Sequence, residues 1–295
     1  MHNIDFLLRG ILKRENIRFI FAETTSTVRT GILIHDTDPV AGKVFSEALT
    51  AGVLISPLLE NKEKYSIRWE YPGAISSILV DINALCDIRG IIKNPQIIDK
   101  INNPDDILGE KDGFISIIKS EEGKILNSGK TKAALGDPAA DVAFFFSVSD
   151  QIETEISVEV SFNSDPVDPV KISAGFMLQA MPGCDYSALD EYRKNINSQA
   201  FRQALLKEQP TEKKLWELLS VATGKAVNSL NKDNLMYEFG VSPGFRCNCS
   251  FEKMRTAMSV LDKQELEKLF QEKESPTITC QFCKTSYCFK KTDFC

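Results

Sequence analysis

The sequence predicts an α+β protein: a mostly antiparallel sheet domain with packed helices, then a helical linker, then a small cysteine-rich C-terminal domain. Three observations carry that prediction. Apolar segments with strand patterning recur from Ile17 to Met181, and they are joined mainly by short turns, which favours antiparallel pairing. After Pro182-Gly183 strand patterning gives way to helical periodicity. Near the end, four cysteines arrive as two close pairs, Cys247-Asn248-Cys249 and Cys280-Gln281-Phe282-Cys283. Two short-spaced pairs can supply four thiolates in a tetrahedron, so the last segment reads as a zinc domain with four cysteine ligands. The predicted boundaries are 1–183 for the sheet domain, 184–232 for the linker and 233–295 for the zinc-binding domain.

In chain order, residues 4–15 read as a short helix and Ile17 to Glu23 as a strand. Pro39 to Leu59 reads as a helix, with proline at its start and Val40, Val44, Leu49, Val53 and Leu54 on its apolar face. Lys64 to Tyr71 alternates, with Tyr65, Ile67, Trp69 and Tyr71 on one side. Ile75 to Ile82, Asp87 to Ile92 and Gly113 to Lys119 are further strands, punctuated by Pro72-Gly73, Asn94-Pro95, Asn103-Pro104 and Glu122-Gly123. Gly123 and Gly129-Lys130-Thr131 come close to a phosphate loop, but the first glycine stands one residue too early. That stretch reads as a loop. Asp137-Pro138 caps a helix through Phe146. Thr154 to Phe162 and Val170 to Met181 are strands on either side of the Asp165-Pro166 and Asp168-Pro169 turn.

The linker reads as two amphipathic helices. Leu189, Tyr192, Ile196, Phe201 and Leu205 line one, Pro210 breaks it, and Leu215, Trp216, Leu218, Leu219 and Ala222 line the next up to Gly224. Such helices need a surface to cover: the sheet, each other or a partner. Between the cysteine pairs, Phe251 to Glu274 reads as helical, with Phe251, Met254, Met258, Leu261, Leu266, Leu269 and Phe270 at helical spacing. A helical hairpin there can bring Cys247, Cys249, Cys280 and Cys283 together. Closing C-x-C into a disulfide strains the backbone more than closing C-x-x-C, so the set suggests a switch as well as a staple.

Composition excludes several function classes. The 295 residues carry a net charge of −6, which disfavours nucleic acid or an anionic membrane as partner. The first residues lack the basic and apolar runs of a signal peptide, and the longest apolar stretch, near Val53 to Leu59, is too short to span a bilayer. Eight cysteines without a secretion signal point to a reducing compartment and a cytoplasmic protein. Of the other cysteines, Cys86 reads as a small buried residue, Cys184 as a loop residue, Cys288 as packed within a strand and Cys295 as an exposed terminal thiol. His35-Asp36 has no G-x-S-x-G partner motif, and no carboxylate pair stands out, so no catalytic residue is assigned.

The pattern C-x-C-Ser, a helical insert, C-x-x-C and then Tyr287-Cys288-Phe289 resembles the heat-shock protein 33 family, the 33 kDa chaperonins. Three further stretches are similar to it: Gly31 to Thr50, Leu135-Gly136-Asp137 through Ser149-Asp150-Gln151, and Ser173 to Gly183. Asp150 replaces the family's usual Glu, and Cys288 stands where an apolar residue is usual. The resemblance implies a redox-regulated, ATP-independent holdase with one zinc ion per chain in the reduced state. It implies that Cys247, Cys249, Cys280 and Cys283 hold the zinc and that, on oxidation, Cys247 pairs with Cys249 and Cys280 with Cys283. The linker then loosens, the chain forms a homodimer, and unfolding client proteins are captured. Two other classes compete with that reading: a zinc-ribbon module for protein or nucleic acid, and a thiol–disulfide oxidoreductase using Cys280 and Cys283. The insert from 250 to 279 lacks a basic excess, against the first. The C-x-x-C follows Pro276-Thr277-Ile278-Thr279 as a hairpin knuckle would, against the second.

Overall fold

The computed structural model describes residues 4–109, 112–227, 230, 232–272 and 275–294. Contacts divide the chain into two compact units, one ending at Phe245 and the other beginning at Arg246.

The first unit is built around one helix, α2 (Pro39–Ile55). Asp38 caps it by accepting hydrogen bonds from the Val40 and Ala41 amides, and Pro39 occupies its first turn. Almost every residue from Ala41 to Ile55 is buried, as expected of a helix with partners all round. A sheet lies on each side of it. The first contains β1 (Phe6–Leu12), β2 (Ile17–Glu23), β8 (Thr154–Phe162), β9 (Val170–Ala180) and β10 (Leu235–Phe239). Their order is β10-β1-β2-β9-β8, with every pairing antiparallel. The second contains β3 (Glu63–Glu70), β4 (Ser77–Asn83), β5 (Asp87–Ile92), β6 (Gly113–Glu121), β7 (Lys124–Ala133) and β11 (Gly244–Phe245). Its order is β11-β5-β4-β3-β6-β7, antiparallel except for the parallel β11–β5 pair. Two glycines record how closely the layers approach. A Cβ on Gly175 of β9 would lie 2.8 Å from the Thr50 and Leu54 side chains, and one on Gly52 would lie 3.0 Å from Val80 and Ile88.

Helices α1 (Thr25–His35) and α4 (Pro138–Ser149) pack beside α2, and a single turn, α3 (Asp105–Leu108), precedes β6. On the face of the first sheet turned away from α2 lie α5 (Tyr186–Ile196), α6 (Gln199–Leu205) and α7 (Thr211–Thr223). Leu189, Ile196, Phe201, Leu205, Leu215 and Leu218 are fully buried there against Leu8, Phe19, Phe21, Phe176 and Leu178. At roughly 1.5–3 kcal/mol per buried side chain, this is a substantial second core. It also contains an ion pair: Lys214 Nζ lies 2.6 Å from Glu23 Oε1, with the two side chains 0% and 4% exposed.

Several expectations change. Residues 4–15 hold strand β1, not a helix. Leu7 points into the core around α2 while Leu8 and Leu12 point into the core under α5–α7, and a strand buried on both faces lacks alternation. The loop expected across 123–131 is mostly strand β7, entered by a turn in which Gly123 has φ 88°. The apolar line from Leu189 to Leu205 belongs to two helices, because Ser198 caps α6 by accepting from the Phe201 amide. Strands β10 and β11, within the segment expected to begin the zinc domain, pair with β1 and β5.

The second unit contains α8 (Phe251–Met258), α9 (Lys263–Glu272) and the hairpin β12 (Thr277–Thr279) and β13 (Ser286–Cys288). The insert is thus two helices. Its expected last residue, Glu274, and the terminal Cys295 lie outside the described residues.

Candidate metal centre

The cysteine pairs sit at two backbone turns whose geometry is set locally. Cys249 precedes Ser250, which caps α8 by accepting a hydrogen bond from the Lys253 amide. The Lys253 ammonium donates back to the Asn248 carbonyl at 2.6 Å, which closes the loop that carries Cys247 and Cys249. Cys280 and Cys283 stand in the turn between β12 and β13. The Cys280 amide donates to the Thr285 carbonyl at 2.9 Å and the Lys284 amide to the Cys280 carbonyl at 2.8 Å. Lys284 itself is left-handed, with φ 58°. Behind the turns lies a small aromatic core. Phe289 is fully buried, with Phe251 and Phe294 at centroid distances of 4.7 and 5.7 Å, and Phe270 lies 5.8 Å from Phe294.

These turns bring all four predicted cysteines together. Their sulfurs lie within 4.8 Å of one another. Cys247 Sγ is 3.8 Å from Cys280 Sγ, and Cys249 Sγ is 3.3 Å from Cys283 Sγ. A tetrahedral zinc site with bonds of about 2.3 Å places its sulfurs roughly 3.8 Å apart, so the donor set fits zinc in number, type and spacing. Cys280 is buried and the other three are half-buried.

Two further side chains touch the sulfurs. The Tyr287 hydroxyl lies 3.1 Å from Cys249 Sγ, and the Thr285 hydroxyl lies 3.2 Å from Cys283 Sγ. Within the cluster of thiols, burial pushes Cys249 up to about 12, the Tyr287 hydroxyl offsets part of that, and the other three thiols add to it. Burial also raises Cys283, but hydrogen bonding with the Thr285 hydroxyl and amide, together with Cys249 and Cys280, outweighs it and leaves that thiol at about 7. Tyr287 is pushed up to about 12, first by its contact with Cys249. A bound cation would favour the thiolate at all four positions. Tyr287 is visible in the sequence as part of an aromatic-x-aromatic run; nothing in the pattern marks Thr285.

The remaining cysteines stand apart. Cys86 is buried at φ 56°, with its sulfur 3.0 Å from Ser56 Oγ. Cys184 is half-buried just beyond β9, with its thiol raised first by burial. Cys288 is exposed rather than packed. It ends β13 opposite Thr277, with its sulfur 3.3 Å from the Thr277 hydroxyl, on a hairpin too short to cover both faces.

Comparison with known proteins now bears on the whole chain. A family model described as Hsp33 protein matches residues 5–290. The chain belongs to the Hsp33 family. Among its Hsp33 relatives, the 33 kDa chaperonin of Bacillus mycoides (strain KBAB4) is 28% identical over 306 residues, covering 98% of this chain and 97% of that one. The 33 kDa chaperonin of Clostridium botulinum (strain Alaska E43 / Type E3) is 28% identical over 294 residues, with coverage of 98% and 96%. The crystal structure of the 33 kDa chaperonin, a heat shock protein 33 homolog, from Thermotoga maritima superposes with a TM-score of 0.83 at 24% identity, covering 99% of this chain and 96% of that one. It shares the fold. Membership in the Hsp33 family gives the chain a chaperone role, and its C-terminal cysteine cluster fits a metal site. No helix among the described residues is long and apolar enough to cross a membrane.

Proposed function

We propose that this chain is a cytoplasmic, redox-regulated holdase that binds unfolding proteins without ATP and is not an enzyme. Its switch is the set Cys247, Cys249, Cys280 and Cys283. The single observation that carries the reading is the convergence of these four thiols, from two distant turns, within 4.8 Å. Zinc, one ion per chain, would hold the four sulfurs as thiolates and staple the turns. The unit that contains them is small and its aromatic core is slight, so its fold should depend on that staple.

Oxidation removes two electrons from each pair of thiolates. With peroxide as the oxidant, each disulfide that forms reduces one peroxide to water. All four sulfurs are near neighbours, so distance alone does not choose the pairing. The resemblance to the Hsp33 family implies the pairing Cys247–Cys249 and Cys280–Cys283, whose partners would stay close in sequence once the turns loosen. Disulfide sulfurs are poor metal ligands, so oxidation ends metal retention. The helices of 184–232, docked on the first sheet, then lose support from the segment that follows them, and undocking exposes both apolar surfaces to clients. Oxidised chains carrying such surface would associate as homodimers. In terms of mechanism we retain three parts: a sheet domain over 1–183, a linker over 184–232 and a switch over 233–295.

The test is zinc content and free-thiol count before and after peroxide, alongside suppression of aggregation of a heat-denatured client. Release of zinc with loss of four thiols and gain of suppression is expected. Suppression that is equal in reduced and oxidised protein would overturn the redox switch. Insulin reduction by the C-x-x-C pair would favour an oxidoreductase instead.

A further inference from the structure

The second sheet ends in a strand that pairs with no further strand among the described residues. Strand β7 is the last in its order, and its first five residues are all exposed, including Ile125 at 60% and Leu126 at 44%. An edge strand turns alternate amides and carbonyls outward, ready to pair with another extended chain. Beside it lies α4, a helix of apolar residues on nearly all sides. Phe145 and Phe146 of α4 are buried inward, while Phe144 and Val148 are 38% and 52% exposed. Helix and strand are in direct contact, since a Cβ on Gly129 would lie 2.8 Å from the Phe145 ring. Beside them opens a cavity of about 330 Å³ whose apolar wall includes Leu126, Phe145 and Phe146 and whose far wall carries the charged Glu63, Lys119 and Asp150. A bare strand edge flanked by an apolar helix and a cavity is the arrangement that captures extended peptides by strand addition.

The charges say what kind of chain fits. Strand β7 carries Lys124, Lys130 and Lys132 and no acidic residue. Lys130 and Lys132 pair in register with Ser116 and Phe114, on the sheet face turned away from the buried Ile115 and Ile117. Lys130 lies 4.2 Å from the Phe114 ring centroid and 3.9 Å from Glu70, and Lys132 pairs with Asp112. These ion pairs are exposed and exchange readily. Edge lysines commonly guard against self-association. The register between β6 and β7 shifts at Leu126, which is an extra residue in β7, so Lys124 opposite Glu121 stands on the other face of the strand from Lys130 and Lys132. An incoming strand with acidic residues on one face and apolar residues on the other would meet lysines outside and the helix-lined cavity inside.

We propose that the β7 edge and the outer face of α4 form a docking groove for extended segments of non-native protein that alternate acidic and apolar residues. The proposal rests on the chaperone reading for the identity of the occupant. It differs from the redox switch in mechanism, because the groove is open with the linker helices docked. It is therefore a first, weak contact that needs no oxidation.

The test uses the full-length reduced protein and two short probe peptides, one alternating glutamate with valine and the other lysine with valine. The glutamate peptide should bind and slow hydrogen exchange in residues 124–133. Reversal of the two outer lysines, Lys130→Glu/Lys132→Glu, should weaken it about tenfold and improve binding of the lysine peptide. Val148→Ser, a mild change at an exposed position, should weaken both peptides without changing thermal stability. Equal binding of the two peptides, or no protection in 124–133, would overturn the groove. Client protection by the oxidised protein is read separately. If it persists while the peptides fail to bind, the groove falls and the chaperone reading stands. If it is absent while the glutamate peptide protects β7, the chaperone reading falls and the strand-addition site stands.

Discussion

Lys214 is the residue through which the docking of the linker helices can be weighed. Its ammonium, on α7, lies 2.6 Å from the Glu23 carboxylate at the end of β2, with both side chains almost completely buried. It also sits 5.8 Å from the centroid of the Phe21 ring. Burial pulls the ammonium below its ordinary pKa, and Glu23 offsets part of that shift. The pair thus pays for desolvation with mutual attraction, which leaves its net contribution near zero and makes it a device of register more than of strength. Removing one partner is different. Lys214→Met leaves the Glu23 carboxylate buried without a cation, at about 3–5 kcal/mol. All of that falls on the docked state, because undocking returns Glu23 to water. Hydrogen exchange in residues 186–223 should accelerate by roughly two to four decades, while amides of β3 and β4 keep their protection. Under the switch proposed above, the variant should also suppress client aggregation without oxidant. Lys214→Met/Glu23→Leu, which removes both charges, should restore protection to at least the parent level. If the single variant keeps its linker protection, or the double variant is as loose as the single, the pair does not govern docking.

Three further outcomes are expected. Burial raises the Glu47 carboxyl to about 7, with Asp137 adding to the shift and Lys43 opposing it. A raised carboxyl stabilises the fold below its unfolded pKa, and that stability is lost as pH climbs through about 7. Between pH 4.5 and 7 the loss approaches about 3 kcal/mol. Glu47→Gln should therefore raise the melting temperature at pH 8 and have a much smaller effect near pH 5; equal effects at both would contradict this. Cys280→Ser, at the buried member of the sulfur cluster, should weaken zinc retention in competition with a chelator, and unchanged retention would mean that Cys288 substitutes. Phe289→Ala removes the fully buried ring of the second unit at about 3–5 kcal/mol. Proteolysis after Arg246 should accelerate while the sheets of the first unit stay intact.

How far the sequence could be read depended on where each signal was stored. Strands β3, β4 and β5 alternate, because one face meets α2 and the other meets water, and alternation is local. Helix α4 announces itself through Asp137-Pro138, which caps it as expected. The cysteine pairs were legible because ligand spacing survives without any knowledge of the fold. Other signals were distant. Helix α1 was not anticipated, since its start is capped from outside: Asp5 accepts hydrogen bonds from the Ser26 and Thr27 amides at 2.9 and 2.7 Å. Strand β1 is buried between two cores and so hides its period. Strand β7 is exposed along half its length and carries lysines where a core strand would carry valines. At the metal centre, Thr285 is set against Cys283 by the turn at Lys284, a relation no spacing rule contains.

The order of strands in the two sheets also sets a timetable for synthesis. From β3 to β7 the second sheet is a run of consecutive segments, Glu63 to Ala133, and it can close soon after it emerges. The first sheet cannot. Strand β1 leaves the ribosome long before β10, the partner on its outer side, and Leu12 waits for Leu235. At roughly 5–20 residues per second, that wait is on the order of ten to forty-five seconds. Strand β2 likewise waits for β9. Throughout that interval Leu8, Phe19 and Phe21 have no cover, because the helices that bury them are translated after β9. The nascent chain is for that time an aggregation-prone polypeptide itself.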